Sequence, residues 1–234
     1  MVDSPDKFSS WLLKEKKNIG RVVDFDPLSD RLFPFDFTAE NKELTTGMLN
    51  DTAAFSAWIT HQLAGRHCRY GIGGYNEHRT IYSRSEHFDT AEEPRRLHLG
   101  VDIWGPAGTP VYNFFDAEVH SFRNNDNFGD YGATVILKYD LDGLILYGLY
   151  GHLSLDSLKG LAEGQFITAG KAFAAFGVPA ENGSWPPHLH FQLMFAMQGL
   201  KGDYPGVCQF SKREFYLNNC PDPGLILENT FKRV

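Results

Sequence analysis

Ala133–Tyr139 (ATVILKY), the connection Asp140-Leu141-Asp142-Gly143, and Leu144–Tyr150 (LILYGLY) decide the fold class. Two runs rich in β-branched and aromatic residues, joined by a short loop ending in Asp-Gly, predict a β-hairpin. The same texture spreads outward. From Leu97 onward, short Val, Ile, Phe and Tyr runs alternate with Gly, Asn, Asp and Pro clusters. Asn124-Asn125-Asp126-Asn127 and Gly129 mark an exposed loop before the hairpin, and Gly177–Pro187 is a second loop too rich in breakers for a strand. That second loop runs directly into His188, so it is a natural wall for a cleft. A weak internal echo links Ala107–Val111 with Glu163–Ile167, each placing Gly ahead of a β-branched residue. Upstream, Asp51–Ala64 sets Phe55, Trp58, Ile59 and Leu63 at helical spacing behind an Asp51 cap, which predicts an amphipathic helix. The expected architecture is mainly β: an antiparallel sandwich- or barrel-like core with an α-containing N-terminal extension.

Composition narrows the function classes. The chain has 234 residues, 42% apolar and 14% aromatic, enough to bury a core. Its formal charge of −7 lacks the basic stripe of a nucleic-acid binder. No apolar run approaches the roughly 18 residues that span a bilayer, so no membrane span is expected. The N-terminus has no apolar segment ahead of Trp11 and meets Lys14, Lys16 and Lys17 soon after, unlike an export signal. The reading is cytoplasmic by default, and periplasmic or secreted if a signal has been removed. Cys68, Cys208 and Cys220 are odd in number and lack C-x-x-C spacing, which fits reduced thiols. Three segments follow: 1–96, a partly helical extension; 97–196, the β core; and 197–234, a C-terminal strap in which Asn219–Leu227 reads as a turn followed by a short strand or strap.

The chemistry concentrates in two tight pairs, His98-Leu-Gly-Val-Asp102 and His188-Leu-His190. Both sit in β-type sequence, and residues at even separations share one face of a strand. Each pair then presents two ligand-type groups together. Catalytic zinc commonly takes three ligands from His, Cys and carboxylate, leaving a position for water, so two His and one Asp are a suitable set. Spacing alone does not tell which His of the second pair would bind. His152, in Tyr150-Gly-His-Leu153, brings a further group to the end of the hairpin.

Three blocks, His98–Val111 (HLGVDIWGPAGTPV), Tyr150–Leu153 (YGHL) and His188–Phe191 (HLHF), resemble in order the signature blocks of the lysostaphin-type zinc metalloendopeptidases. The resemblance covers about Leu97–Phe195. It implies a duplicated hybrid motif fold for the core. It also implies one zinc ion held by His98, Asp102 and His190, with His152 and His188 beside the reacting water as base or transition-state stabiliser. The implied reaction is peptide-bond hydrolysis, with peptide or peptidoglycan-like substrates. Gln192 stands where the family often carries an acidic residue, and no cell-wall-binding repeat is recognisable.

Two other function classes compete. A catalytically inactive relative acting as a binding or regulatory module would usually lack one of the five positions, and all five are present. A lipoyl- or biotinyl-type carrier needs a Lys at a hairpin tip, where this chain has Asp142-Gly143. The remaining histidines are weaker candidates: His61 and His67 read as surface residues, and His78, His87 and His120 as structural ones. Gly71-Ile-Gly-Gly74 lacks the spacing of a dinucleotide loop, and no G-x-S-x-G, H-E-x-x-H or phosphate loop occurs. Tyr75, Asn76, Arg79 and Tyr82 read either as cleft lining or as loop packing. Residues 1–96 read as an integral extension, a lid or a propeptide.

Overall fold

In the computed structural model, which describes residues 4–88 and 93–231, the hairpin forms where the sequence places it. In chain order the elements are α1 (Ser4–Glu15), β1 (Leu32–Phe35), α2 (Thr46–Asn50), α3 (Thr52–Gly65) and β2 (Tyr70–Gly73). They continue with β3 (Leu97–His98), β4 (Val101–Trp104), β5 (Pro110–Tyr112), β6 (Ala117–Asn125), β7 (Gly132–Leu141) and β8 (Leu144–Leu153). The remainder are β9 (Phe166–Ile167), β10 (Ala172–Ala175), β11 (His188–Met194), β12 (Val207–Cys208), α4 (Arg213–Asn219) and α5 (Gly224–Phe231). The β7–β8 turn is the two residues Asp142 and Gly143, at φ 55° and 86°. Positive φ at both positions is the twist-compatible hairpin geometry that Asp-Gly favours.

Eight strands form one sheet in the order β1-β2-β4-β11-β8-β7-β6-β9. The β1–β2 pair is parallel and the others are antiparallel, so the sheet is mixed only at its N-terminal edge. β5 pairs with β10 and β3 with β12 in two small ribbons. The large sheet is open, with no closed barrel among the described residues. The two echoed segments lie apart, one in the β5 ribbon and the other in edge strand β9.

Side-chain alternation sorts the two faces of this sheet. Val101 and Ile103 of β4 and Leu189, Phe191 and Leu193 of β11 enter one apolar core, with Phe8 and Trp11 of α1 and Ile226 and Leu227 of α5. Within it, the Tyr139 hydroxyl bonds Asn113 Oδ1 at 2.9 Å and the Tyr150 hydroxyl at 2.6 Å, so the buried phenols are satisfied. The opposite face carries Asp102, Trp104, His188, His190 and Gln192.

Helix α3 starts at Asp51, whose carboxylate accepts from the N–H groups of Ala53 (2.9 Å) and Ala54 (3.0 Å). Its stripe buries Phe55, Ile59 and Leu63 against Phe35, Phe37 and Trp104. Burying one such aromatic side chain contributes about 1.5–3 kcal/mol. The aromatic cluster therefore anchors Trp104 at the border of the polar face. At the C-terminus the segment expected as a short strand or strap is instead helix α5. Its apolar run is only Leu225-Ile226-Leu227, too short for periodicity to separate strand from helix. The Asp222 carboxylate accepts from Gly224 N–H at 2.7 Å at the helix start, and Ile226, Leu227 and Thr230 are buried.

Candidate metal centre and cleft

His98, Asp102 and His190 come together on the polar face, their ligand-type atoms all within 4.8 Å of one another. His190 faces Asp102 directly across the β11–β4 ladder. Its Nδ1 lies 3.0 Å from Asp102 Oδ1. His98 and Asp102 do not share a strand as their spacing suggested. His98 ends β3, which pairs with β12, and the chain turns at Leu99-Gly100 before Asp102 enters β4. Their meeting is tertiary: His98 Nε2 sits 3.2 Å from Asp102 Oδ1 and 3.0 Å from His190 Nδ1. Gly100 makes this possible, because a Cβ there would lie 2.7 Å from the His190 ring.

The outer nitrogen of each histidine fixes its tautomer. His98 Nδ1 donates to the Gly74 carbonyl at 2.9 Å, leaving Nε2 bare. His190 Nε2 donates to Gln192 Oε1 at 2.9 Å, leaving Nδ1 bare. The Gln192 amide cannot turn over cheaply, since its Nε2 donates to the Pro205 carbonyl (3.1 Å) and the Cys220 sulfur (3.6 Å). Two lone pairs and a carboxylate oxygen thus converge with no proton between them. Burial pushes the Asp102 pKa up, but the Arg79 guanidinium against its second oxygen outweighs it and helps hold the carboxyl well below its usual range. Burial, then the Arg79 cation, lowers His98 to about 3. Two imidazoles and a carboxylate converging in this way fit a divalent cation.

His152 and His188 flank the cluster. His188 shares the β11 face with His190 and stacks on Trp104 at 3.9 Å and 14°. Its Nδ1 donates to the Pro186 carbonyl at 2.8 Å. His152, near the end of β8, adopts φ 60°, and its Nδ1 donates to the Asn182 carbonyl at 2.8 Å. The breaker-rich loop therefore supplies the carbonyls that orient both rings. Burial lowers His188 to about 4 and, with His188 beside it, pushes His152 well below its usual value. Both stay neutral near pH 7 with a bare Nε2.

Asp102, His152, His188 and His190 line one cavity of about 270 Å³, whereas His98 does not. Its apolar wall includes Tyr82, Phe88, Trp185 and Val207. His87, expected to be structural only, also lines it. Sequence reasoning missed Tyr131, whose hydroxyl donates to the Tyr204 carbonyl (3.2 Å) and sits 3.5 Å from His190 Nε2. No motif marks it; it stacks over Gly151, the residue paired with His190 across β11–β8. Of the upstream quartet, Arg79 is fully buried with its guanidinium against the second oxygen of Asp102. His61 and His67 are exposed, and His78 and His120 lie outside the cavity. The three cysteines are free thiols.

The sheet thus presents a buried His/Asp/His cluster, a donor set that suits a divalent cation, beside two neutral histidines. Residues 96–201 match the model of Peptidase family M23. A stretch of 125 residues, 51% of this chain, is 33% identical to the DD-carboxypeptidase/endopeptidase Mpg of Neisseria meningitidis. The match spans 26% of that relative's length. Among solved structures, the catalytic domain of the antimicrobial peptidase lysostaphin from Staphylococcus simulans aligns at 21% identity and TM-score 0.41, covering 69% of this chain and 96% of that one. A zinc-containing peptidase from Vibrio cholerae aligns at 27% identity and TM-score 0.34, covering 42% and 27%. No described helix is long and apolar enough to cross a membrane.

Proposed function

We propose that this chain is a zinc-dependent endopeptidase that hydrolyses peptide bonds, with peptidoglycan cross-links or stem peptides as its substrate class. One observation carries the reading: three bare donor atoms, on His98, Asp102 and His190, converge beside two neutral histidines whose Nε2 atoms are free to accept a proton. His98, Asp102 and His190 would hold one zinc ion. Bound there, zinc supplies Lewis-acid polarisation of the scissile carbonyl and acidifies water.

The protein's own groups supply the rest. His152 and His188, held neutral by burial, are poised to take a proton at Nε2 and then to donate hydrogen bonds to the developing oxyanion. The Asn182 and Pro186 carbonyls fix both rings before substrate arrives, so no reorientation is needed at the reacting moment. Tyr82, Phe88 and Trp185 offer an apolar wall for the peptide. We assign the described part of residues 1–96 as integral to the peptidase, because β1 and β2 extend its sheet and Tyr82 and Phe88 line its cavity.

Elemental analysis of wild type and Asp102→Ala, both purified without chelator, tests the metal. About one zinc per chain in the wild type and a large loss in the variant are expected. Incubation with purified peptidoglycan should release new amino termini, quantified by amine labelling. Wild type that cannot be loaded with zinc, or loaded enzyme that cuts neither peptidoglycan nor peptides, overturns the reading.

A further inference from the structure

The buried guanidinium of Arg79 lies outside the family-matched segment, and the reaction as described does not use it. Its side chain is 0% exposed, and each of its nitrogens is engaged. Nε donates to Glu77 Oε2 at 2.6 Å, and Nη2 to the Gly74 carbonyl at 3.1 Å. Nη1 donates to the Tyr82 hydroxyl at 3.3 Å and to Asp102 Oδ2. The Gly74 carbonyl is the same atom that accepts from His98 Nδ1. The backbone is tied in as well: His98 N–H bonds the Glu77 carbonyl at 2.9 Å, and Asn76 N–H bonds the His98 carbonyl at 2.8 Å. One short segment, 74–79, thus grips two of the three candidate ligands from behind.

Stability is a poor reason for such a residue. Desolvating a charge costs several kcal/mol, and a buried ion pair is often no better than apolar packing of similar volume. What the arrangement does achieve is geometric. Asp102 has two oxygens, of which Oδ1 faces His98 and His190 while Oδ2 is held by Arg79.

We propose that Arg79, braced by Glu77, is a positioning residue of the metal centre that commits Asp102 to one-oxygen ligation through Oδ1. The inference rests on the zinc reading above. A carboxylate with Oδ2 released is free to rotate or to offer both oxygens, and the site loses its single coordination geometry. Partners behind a ligand commonly change metal affinity by roughly 10–100-fold.

The test compares wild type with the double variant Glu77→Gln/Arg79→Met. Removing the ion pair as a unit leaves the protein's net charge unchanged, and loss of the nearer cation would by charge alone tighten zinc binding, so a weaker constant reports geometry. Zinc dissociation constants are measured by chelator competition, and the visible absorption of the cobalt(II)-loaded protein reads coordination directly. The expected result is a roughly 10–100-fold weaker zinc constant and weaker cobalt bands, as added oxygen ligation raises the coordination number. Arg79→Lys, which keeps the charge without the planar fork, should restore only part of both. Tight zinc binding by wild type with the same constant and cobalt spectrum in the double variant overturns this inference and leaves the zinc reading standing. Failure of wild type to bind zinc overturns both. Should the double variant lack the wild-type far-ultraviolet circular dichroism, Arg79→Lys alone decides, and a wild-type cobalt spectrum there counts against the proposal.

Discussion

His152 and His188 lie ring against ring, with centroids 4.0 Å apart and planes inclined at 32°, and each gives its Nδ1 proton to a loop carbonyl. They reach this pose from opposite directions: one near the end of β8, the other at the start of β11. Neither touches the His98–Asp102–His190 cluster through a hydrogen bond.

That separation gives the first prediction. His152→Ala and His188→Ala should each keep about one zinc per chain while peptide hydrolysis falls by roughly 10²–10⁴. Zinc content and amine release, measured on the same preparations, check it. Loss of zinc from either variant would show that the flanking ring acts as a ligand instead.

A second prediction concerns acid. His188 is lowered to about 4 and His98 to about 3 by burial, against an ordinary value of 6.5. As pH falls below 6.5, the unfolded chain takes up these protons and the folded one does not. Stability is therefore full above pH 6.5 and is lost as pH drops towards 4, by about 3 kcal/mol for His188 alone. Urea midpoints of the chelator-treated protein should fall between pH 7 and pH 4.5. Equal midpoints at those two pH values would mean that the histidines are not buried as neutral groups.

Gly100 supplies a third. An alanine Cβ there would meet His190 Cε1 and Nε2 at 2.7 Å and the Phe191 carbonyl at 2.8 Å. The ring or the strand must shift, at a cost of about 1–3 kcal/mol. Gly100→Ala should lower both the melting temperature and the zinc per chain. Wild-type zinc content in this variant would show that the close approach is dispensable.

Much of this was legible in the residues. Asp142-Gly143 between two apolar runs specifies a hairpin, because positive φ at both turn positions suits that dipeptide. Asp51 and the spacing of Phe55, Ile59 and Leu63 specify α3. The H-x-x-x-D and H-x-H pairs carried the candidate ligands. What spacing got wrong was the route: His98 and Asp102 belong to different strands, with a turn at Leu99-Gly100 between them. Helix α5 is not legible in the sequence, because three apolar residues have no resolvable period and fit a short strand or strap equally well.

The sequence alone determined which groups this protein has for chemistry and the strand-forming texture that carries them, since both depend on residue type and near-neighbour spacing. Only the tertiary structure decided their state. Gln192 sets the tautomer of His190, Gly74 that of His98, and Asn182 and Pro186 orient the flanking rings. Arg79 claims the second oxygen of Asp102 from a segment with no motif of its own. Proton positions and carboxylate orientation are set by contacts between residues distant in the chain, and burial makes those contacts decisive by removing the water that would otherwise satisfy every group alike.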